Sequence, residues 1–343
     1  KLVPPTYRQF RPAVSHDYQR TILRSACSIK CAVPLTRKSM FRDFHFLVLW
    51  FLRLRSLDRI AAIATGIFKK TVSLPSARIF GDKFMSTATT QISHYQKSRF
   101  EAQTFDGHRI SHDIYRRGCG APLVLLQELP GIGQATLALA DELVNAGFEV
   151  VMPHLFGPLG KTSIAGNLVR VMCLRKEFHL ISSDRSSPIA DWIRLLCRQI
   201  KEQRDVKGVG IIGMCLTGNF AIQLIGDDSV LAAVASQPAM PFFMQSALHM
   251  SSEDVAKSRD SLDEKGPMRV LRFESDPLCT AKKSECIHRA FNSDGITRVQ
   301  EITLPGKGHS VLTLDFVNEK GHPTRTALDE SVKYFSERLN QPG

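Results

Sequence analysis

The chain lacks any run of about 20 apolar residues, the length a membrane-spanning helix requires. The apolar cluster Phe44-His45-Phe46-Leu47-Val48-Leu49-Trp50-Phe51-Leu52 stops after nine. Stable membrane insertion is therefore not expected. No C-x-x-C pair is present, and the eight cysteines (Cys27, Cys31, Cys119, Cys173, Cys197, Cys215, Cys279 and Cys286) are scattered over 343 residues. Such spacing excludes a small disulfide scaffold and suits a reducing compartment. Cys27 and Cys31 are followed by no Cys or His pair at zinc-finger spacing, so no metal is expected. Phosphate-binding P-loops and dinucleotide G-x-G-x-x-G turns are also missing; Gly131-Ile132-Gly133 lacks the third glycine. No organic cofactor is expected either. Internal repeats and low-complexity tracts are absent.

Acidic residues are scarce in one region only. Residues 1–100 hold 18 Lys+Arg and 4 Asp+Glu, whereas the remainder holds 27 and 29. The formal charge of +12 thus belongs to the N-terminal third. The rest is nearly neutral, so no nucleic-acid partner is expected for it. Two domains are expected: a basic extension over 1–84 without fixed structure, and a globular domain over 85–343 starting at Met85. The extension is Arg-rich, Ser-rich and poor in acids, so a mitochondrial transit segment is an alternative to a cytoplasmic location. An interfacial helix over residues 41–68 is a third.

What is present is a strand-turn-helix signal. A mostly apolar run from Val206 to Ile212 ends in Gly213-Met214-Cys215-Leu216-Thr217-Gly218, and residues 219–225 read as a helix. This is the pattern of a nucleophile elbow, with cysteine in place of serine. Small neighbours permit the tight turn, and a helix N-terminus favours thiolate over thiol. Taken alone, Cys215 reads equally as a structural cysteine beside a glycine turn. Asp276 follows a strand candidate, Met268 to Glu274, and His309 follows another, Arg298 to Leu304. Nucleophile, acid and histidine in that order, each on a loop after a strand, match the order of α/β-hydrolases. Alone, Asp276 reads as a loop cap and His309 as a surface histidine.

The strand Pro122 to Glu128 ends in a carboxylate, which is costly at a buried strand end unless it has a partner or a task. With Gln127-Glu128-Leu129-Pro130-Gly131, Gly213 to Gly218, Phe273-Glu274-Ser275-Asp276, Gly308-His309-Ser310 and Gly147 to Leu155 together, the chain resembles the dienelactone hydrolase family over roughly residues 100–339. The resemblance implies Cys215 as nucleophile, His309 as its base and Asp276 as the group orienting the imidazole. It implies Glu128 near the cysteine as an auxiliary base. It also implies an oxyanion hole from the backbone N–H groups of Leu129 and Leu216.

Two positions depart from the family. Thr217 stands where a glycine is common, which requires a partner for its hydroxyl. Thr313 stands where founding members carry an arginine that grips a substrate carboxylate. Arg170, Arg175, Lys176 and Arg185, in the long connection from Gly157 to Ser187, are alternative anion-binding residues or simply solvated charges.

The remaining elements alternate. Strands are predicted at 122–128, 149–155, 206–212, 231–237, 268–274 and 298–304. Helices are predicted at 135–146, 189–203, 220–224, 281–292 and 324–339, behind a hairpin turning at Asp106-Gly107. This is an α/β-hydrolase fold: a mostly parallel, doubly wound sheet with helices on both faces. The expected activity is hydrolysis of a small ester or lactone through a thioester, by a monomer without cofactor. A general carboxylesterase or thioesterase with the same triad, and a non-catalytic binding or thiol-sensing fold, are the alternatives.

Overall fold

The computed structural model describes residues 91–160, 187–240 and 246–340. The expectations for the basic segment 1–84, and for Arg170, Arg175, Lys176 and Arg185, lie outside these residues. Among the described residues no helix is long and apolar enough to cross a membrane.

The expected hairpin is formed by β1 (Gln96–Gln103) and β2 (Arg109–Arg117), with Gln103 opposite Arg109. Gly107, at φ +87°, supplies the left-handed residue that the turn needs. The hairpin joins the sheet through antiparallel pairing of β2 with β4 (Glu149–Pro153). All other pairings are parallel. They join β3 (Pro122–Leu125), β4, β5 (Val209–Met214), β6 (Val230–Ser236), β7 (Met268–Phe273) and β8 (Val299–Leu304). The order across the eight strands is β1-β2-β4-β3-β5-β6-β7-β8. The chain leaves β3 in one direction for β4 and then returns past it to β5, so the sheet has a switch point between β3 and β5.

The central strands are apolar on both sides because both sides are covered. On one face, Val124, Ile211, Ala233 and Val270 pack under α2 (Pro188–Arg204), α3 (Gly218–Leu224), α4 (Ser252–Lys265) and α5 (Ala281–Phe291). On the other, Leu123, Leu125, Ile212, Val234 and Leu271 pack under α1 (Gln134–Asn145) and α6 (Pro323–Leu339). Residue-by-residue alternation between two cores is the period-2 geometry of a strand.

Two strand ends differ from the sequence reading by three residues, the others by two at most. β3 stops at Leu125 because Gln127 turns aside. Its amide donates to the Phe156 carbonyl at 2.9 Å and its Oε1 accepts the Leu155 N–H at 3.0 Å, tying the loop after β3 to the loop after β4. β5 begins at Val209, not Val206, since the Val206 N–H closes the end of α2 on the Lys201 carbonyl. Helix α4 was not anticipated. Its buried residues are only Ser258 and Leu262, too few for an apolar stripe, and its start is set by Ser251, whose hydroxyl accepts the Asp254 N–H at 3.0 Å. Helix α6 begins one residue early at Pro323, and the His322 ring caps it by accepting the Thr324 N–H.

Trp192 of α2 is fully buried, with its ring 5.3 Å from that of Phe100 and 5.0 Å from that of His112. It thereby seals the hairpin to the main sheet. Trp192→Ala is expected to lower unfolding stability by about 3–5 kcal/mol, read as a shift in denaturant midpoint at constant slope.

Candidate active site

Five loops leave the carboxyl ends of parallel strands at one edge of the sheet. They carry Glu128 after β3, Cys215 after β5, Gln237 after β6, Asp276 after β7 and His309 after β8. Residues separated by most of the domain therefore gather at one place.

Cys215 is the sharpest feature. It has φ +54°, in the left-handed region, and only 5% of its surface is exposed. A non-glycine residue in that conformation persists only where its surroundings enforce it. Here Gly213 allows the chain to double back: a Cβ at that position would lie 2.2 Å from the Thr217 carbonyl oxygen. Gly218 lets the following helix pass Pro238, whose Cα would sit 3.0 Å from an added Cβ. Thr217, the departure from the family pattern, finds its partner. Its hydroxyl accepts the Met214 N–H at 3.0 Å and has the carbonyls of Met214 (3.0 Å) and Gln127 (3.1 Å) within donating reach. This side chain fastens the elbow to the loop after β3.

Asp276 lies in a loop bracketed by one guanidinium. Arg272, on β7, donates to the Glu274 carbonyl at 2.9 Å and to the Cys279 carbonyl at 3.1 Å. The Asp276 carboxylate accepts the N–H groups of Leu278 (2.8 Å) and Cys279 (2.9 Å) and faces His309 Nδ1 with both oxygens, at 2.9 and 3.0 Å. The His309 loop has its own anchor in Asp315, whose carboxylate accepts the backbone N–H groups of His309 (2.8 Å) and Ser310 (2.9 Å).

The second ring nitrogen of His309 is buried and has no hydrogen-bond partner among the described residues. The other group acting on the ring is Cys215. Burial disfavours the imidazolium, but the charge of a nearby Cys215 sulfur and the hydrogen bond to the Asp276 carboxylate outweigh it and hold His309 well above the ordinary imidazole range. Cys215, His309 and Asp276 are thus brought together at this edge of the sheet.

Glu128 is 1% exposed. Its carboxyl accepts from Ser310 Oγ at 3.0 Å, from Gln237 Nε2 at 3.4 Å and, in a very short contact, from the Thr313 hydroxyl. None of these partners is Cys215. Burial raises its pKa, and the Thr313 and Ser310 hydroxyls and the charge of His309 only partly counter this. Thr313 therefore holds the end of the strand-end carboxyl. Gln237 reaches Glu128 from a left-handed backbone (φ +38°). Leu129 and Leu216 are both buried, at the turns after Glu128 and Cys215.

Sequence reasoning missed Gln237, Arg272 and Asp315. A left-handed glutamine has no sequence signature. Arg272 lies in the strand candidate Met268 to Glu274, and a charge on the same side as Met268 and Val270 was the available signal.

A family model described as the dienelactone hydrolase family matches residues 120–337, well over half of the chain. The chain belongs to the dienelactone hydrolase family. Its sheet and helices are accordingly those of the α/β-hydrolase fold, and the protein is a hydrolase. Among solved structures, a Klebsiella pneumoniae protein provisionally assigned as a dienelactone hydrolase is 14% identical, with 71% of this chain and 99% of that one covered at a TM-score of 0.49. A dienelactone hydrolase-like promiscuous phosphotriesterase from metagenomic libraries is 16% identical (71% and 99% covered, TM-score 0.48). A cold-adapted esterase from an Arctic intertidal metagenomic library is 16% identical (72% and 95% covered, TM-score 0.47). No curated protein matches.

Two measurements test this hydrolase's site as a structure. Thr217→Val leaves the Met214 N–H and the Gln127 carbonyl without the hydroxyl, and is expected to cost about 1–3 kcal/mol of unfolding free energy. Thr217→Ser should recover most of that loss. Glu128 binds its proton more tightly when folded than when unfolded. Its contribution to stability is full below the unfolded carboxyl pKa, about 4.3, and is lost as pH rises through the raised folded value. The stability of Glu128→Gln minus that of the wild type should therefore grow with pH over the mildly acidic range; a flat difference would contradict the assignment.

Proposed function

We propose that this dienelactone hydrolase family member cleaves small ester or lactone substrates through a Cys215-His309-Asp276 triad and a covalent thioester. The observation that carries the reading is His309. One ring nitrogen lies on a fully enclosed carboxylate, and the ring is held above its ordinary pKa by a cysteine at the elbow. That is the arrangement a nucleophile and its base need.

In this reading the Cys215 sulfur attacks the acyl carbon and its proton rests on His309. The carbonyl oxygen becomes an oxyanion facing the N–H groups of Leu129 and Leu216. The latter opens a helical turn, where N–H groups have no intrahelical acceptor. As the tetrahedral species collapses, the C–O bond to the leaving group breaks and His309 returns the proton to that oxygen. Water, deprotonated by His309, then attacks the thioester. A second collapse breaks the C–S bond, releases the carboxylic acid and restores the thiol. Asp276 keeps the proton-bearing Nδ1 oriented and stabilises the charged ring. Glu128 is the auxiliary base only if it leaves Thr313 and Ser310 when substrate enters; at rest its hydrogen bonds run to the histidine loop. Residues 85–343 form the catalytic domain in this reading, with the basic segment 1–84 ahead of it.

The thiol-sensing alternative needs a second thiol near the first. Cys279 shares a small apolar cluster with Cys215. Burial and the Asp276 charge push its thiol up to about 12, however, so it is a poor attacking thiolate. The hydrolytic reading is therefore preferred.

A panel of small esters and lactones, dienelactone included, tests the proposal on the full chain beside Cys215→Ala. Turnover is expected with the wild type, and the variant should lose more than about a thousandfold in kcat. Mass spectrometry of the wild type quenched in mid-reaction should find the acyl group on Cys215. A folded wild type that turns over nothing on the panel, or a Cys215→Ala variant that keeps its activity, sinks the reading.

A further inference from the structure

Lys283, on α5, is completely enclosed. Its ammonium donates to Asn219 Oδ1 at 2.7 Å and to the Ala247 carbonyl at 2.5 Å. No carboxylate among the described residues pairs with it. The titratable groups acting on it are the Cys279 and Cys286 thiols, and burial brings its pKa down to about 8. A buried cation with only neutral partners is costly, and an apolar side chain of similar size would fill the space more cheaply. Such a residue calls for a task.

The task is visible in its partner. Asn219 stands four residues after Cys215. Its amide nitrogen donates to the Leu216 carbonyl at 3.1 Å and to the Ala239 carbonyl at 3.2 Å. Ala239 in turn donates its N–H to the Cys215 carbonyl at 3.1 Å. The Cys215 carbonyl and the Leu216 N–H belong to one peptide unit, so a hydrogen bond to the first orients and polarises the second. A continuous set of bonds thus runs from α5 through the Asn219 side chain and the loop after β6 to the peptide that follows the elbow cysteine.

We propose that Lys283 is a positioning residue for the elbow, acting through Asn219 to hold the Cys215–Leu216 peptide in its reactive orientation. This rests on Cys215 being the nucleophile. The ammonium fixes which end of the Asn219 amide points at the backbone: with its oxygen engaged by Lys283, the NH2 group must face the two carbonyls. Without the lysine, the amide is free to rotate away.

The test compares wild type, Lys283→Met, Lys283→Gln, Asn219→Leu and the double variant Lys283→Met/Asn219→Leu in the full chain. p-Nitrophenyl acetate hydrolysis gives kcat and KM. The rate of Cys215 alkylation by iodoacetamide, followed by mass spectrometry near neutral pH, needs no turnover. Lys283→Met is expected to lower kcat about tenfold with KM nearly unchanged, and to slow Cys215 alkylation several-fold. Asn219→Leu should do the same, and the double variant should be no worse than the poorer single one, because both remove one linkage. Lys283→Gln keeps an N–H donor and should fall between wild type and Lys283→Met; it carries the test if Lys283→Met does not fold. Unchanged kcat and alkylation in the lysine variants, or losses that multiply in the double variant, overturn the proposal. Cys215→Ala that retains hydrolysis would instead sink the nucleophile assignment, while the alkylation rates would still decide whether Lys283 acts on the elbow.

Discussion

A cysteine held in the left-handed region costs an L-residue on the order of 1–2 kcal/mol, and at Cys215 that cost is met by its surroundings rather than relieved. The chain reaches φ +54° there only because Gly213 has no Cβ to strike the Thr217 carbonyl. Thr217 then ties the turn to the loop after β3, and Ala239 ties it to the loop after β6. The strain is useful because it lifts the sulfur out of the backbone at the edge of a rigid sheet. Everything else at the site is arranged around an atom whose position is already decided.

Asp276 and His309 arrive on loops, and loops need external anchors to hold a fixed geometry. Each has a charged anchor that is not itself placed in the chemistry. Arg272 grips two carbonyls on either side of Asp276, and Asp315 grips the two N–H groups at His309 and Ser310. Charge-assisted bonds to backbone are well suited to this, since they are strong and directional and leave the neighbouring side chain free. Glu128 adds a link between the loop after β3 and the histidine loop through Ser310 and Thr313. Thr313 is part of that link. It gives the enclosed carboxyl a local hydrogen-bond donor and makes the histidine loop part of its surroundings.

The core and the site were legible in the sequence to different degrees. Apolar strands such as 122–128 and 231–237 are near-continuous because they are covered on both faces, and that pattern survives in the sequence whatever their neighbours are. Helix α4 left no such trace, because it buries only Ser258 and Leu262. Cys215, Asp276 and His309 could be found because each follows a strand and their order is constrained by the sheet. Gln237 and Lys283 could not. One is a glutamine in a backbone conformation that no residue type announces, and the other reads in sequence as an ordinary helix-surface lysine in Ala281-Lys282-Lys283.

The sequence by itself determined the period of most elements, the small residues that permit the elbow, and the order of Cys215, Asp276 and His309 along the chain. These are local matters: steric room at one residue, or alternation over a few. Tertiary structure alone decided which partners the buried polar groups have. That Glu128 binds the histidine loop rather than Cys215, that Thr217 fastens the elbow instead of loosening it, and that Lys283 meets Asn219 instead of water all depend on contacts across long stretches of chain. A buried polar group must find a partner, but nothing in its own neighbourhood of sequence says which one the packing will bring.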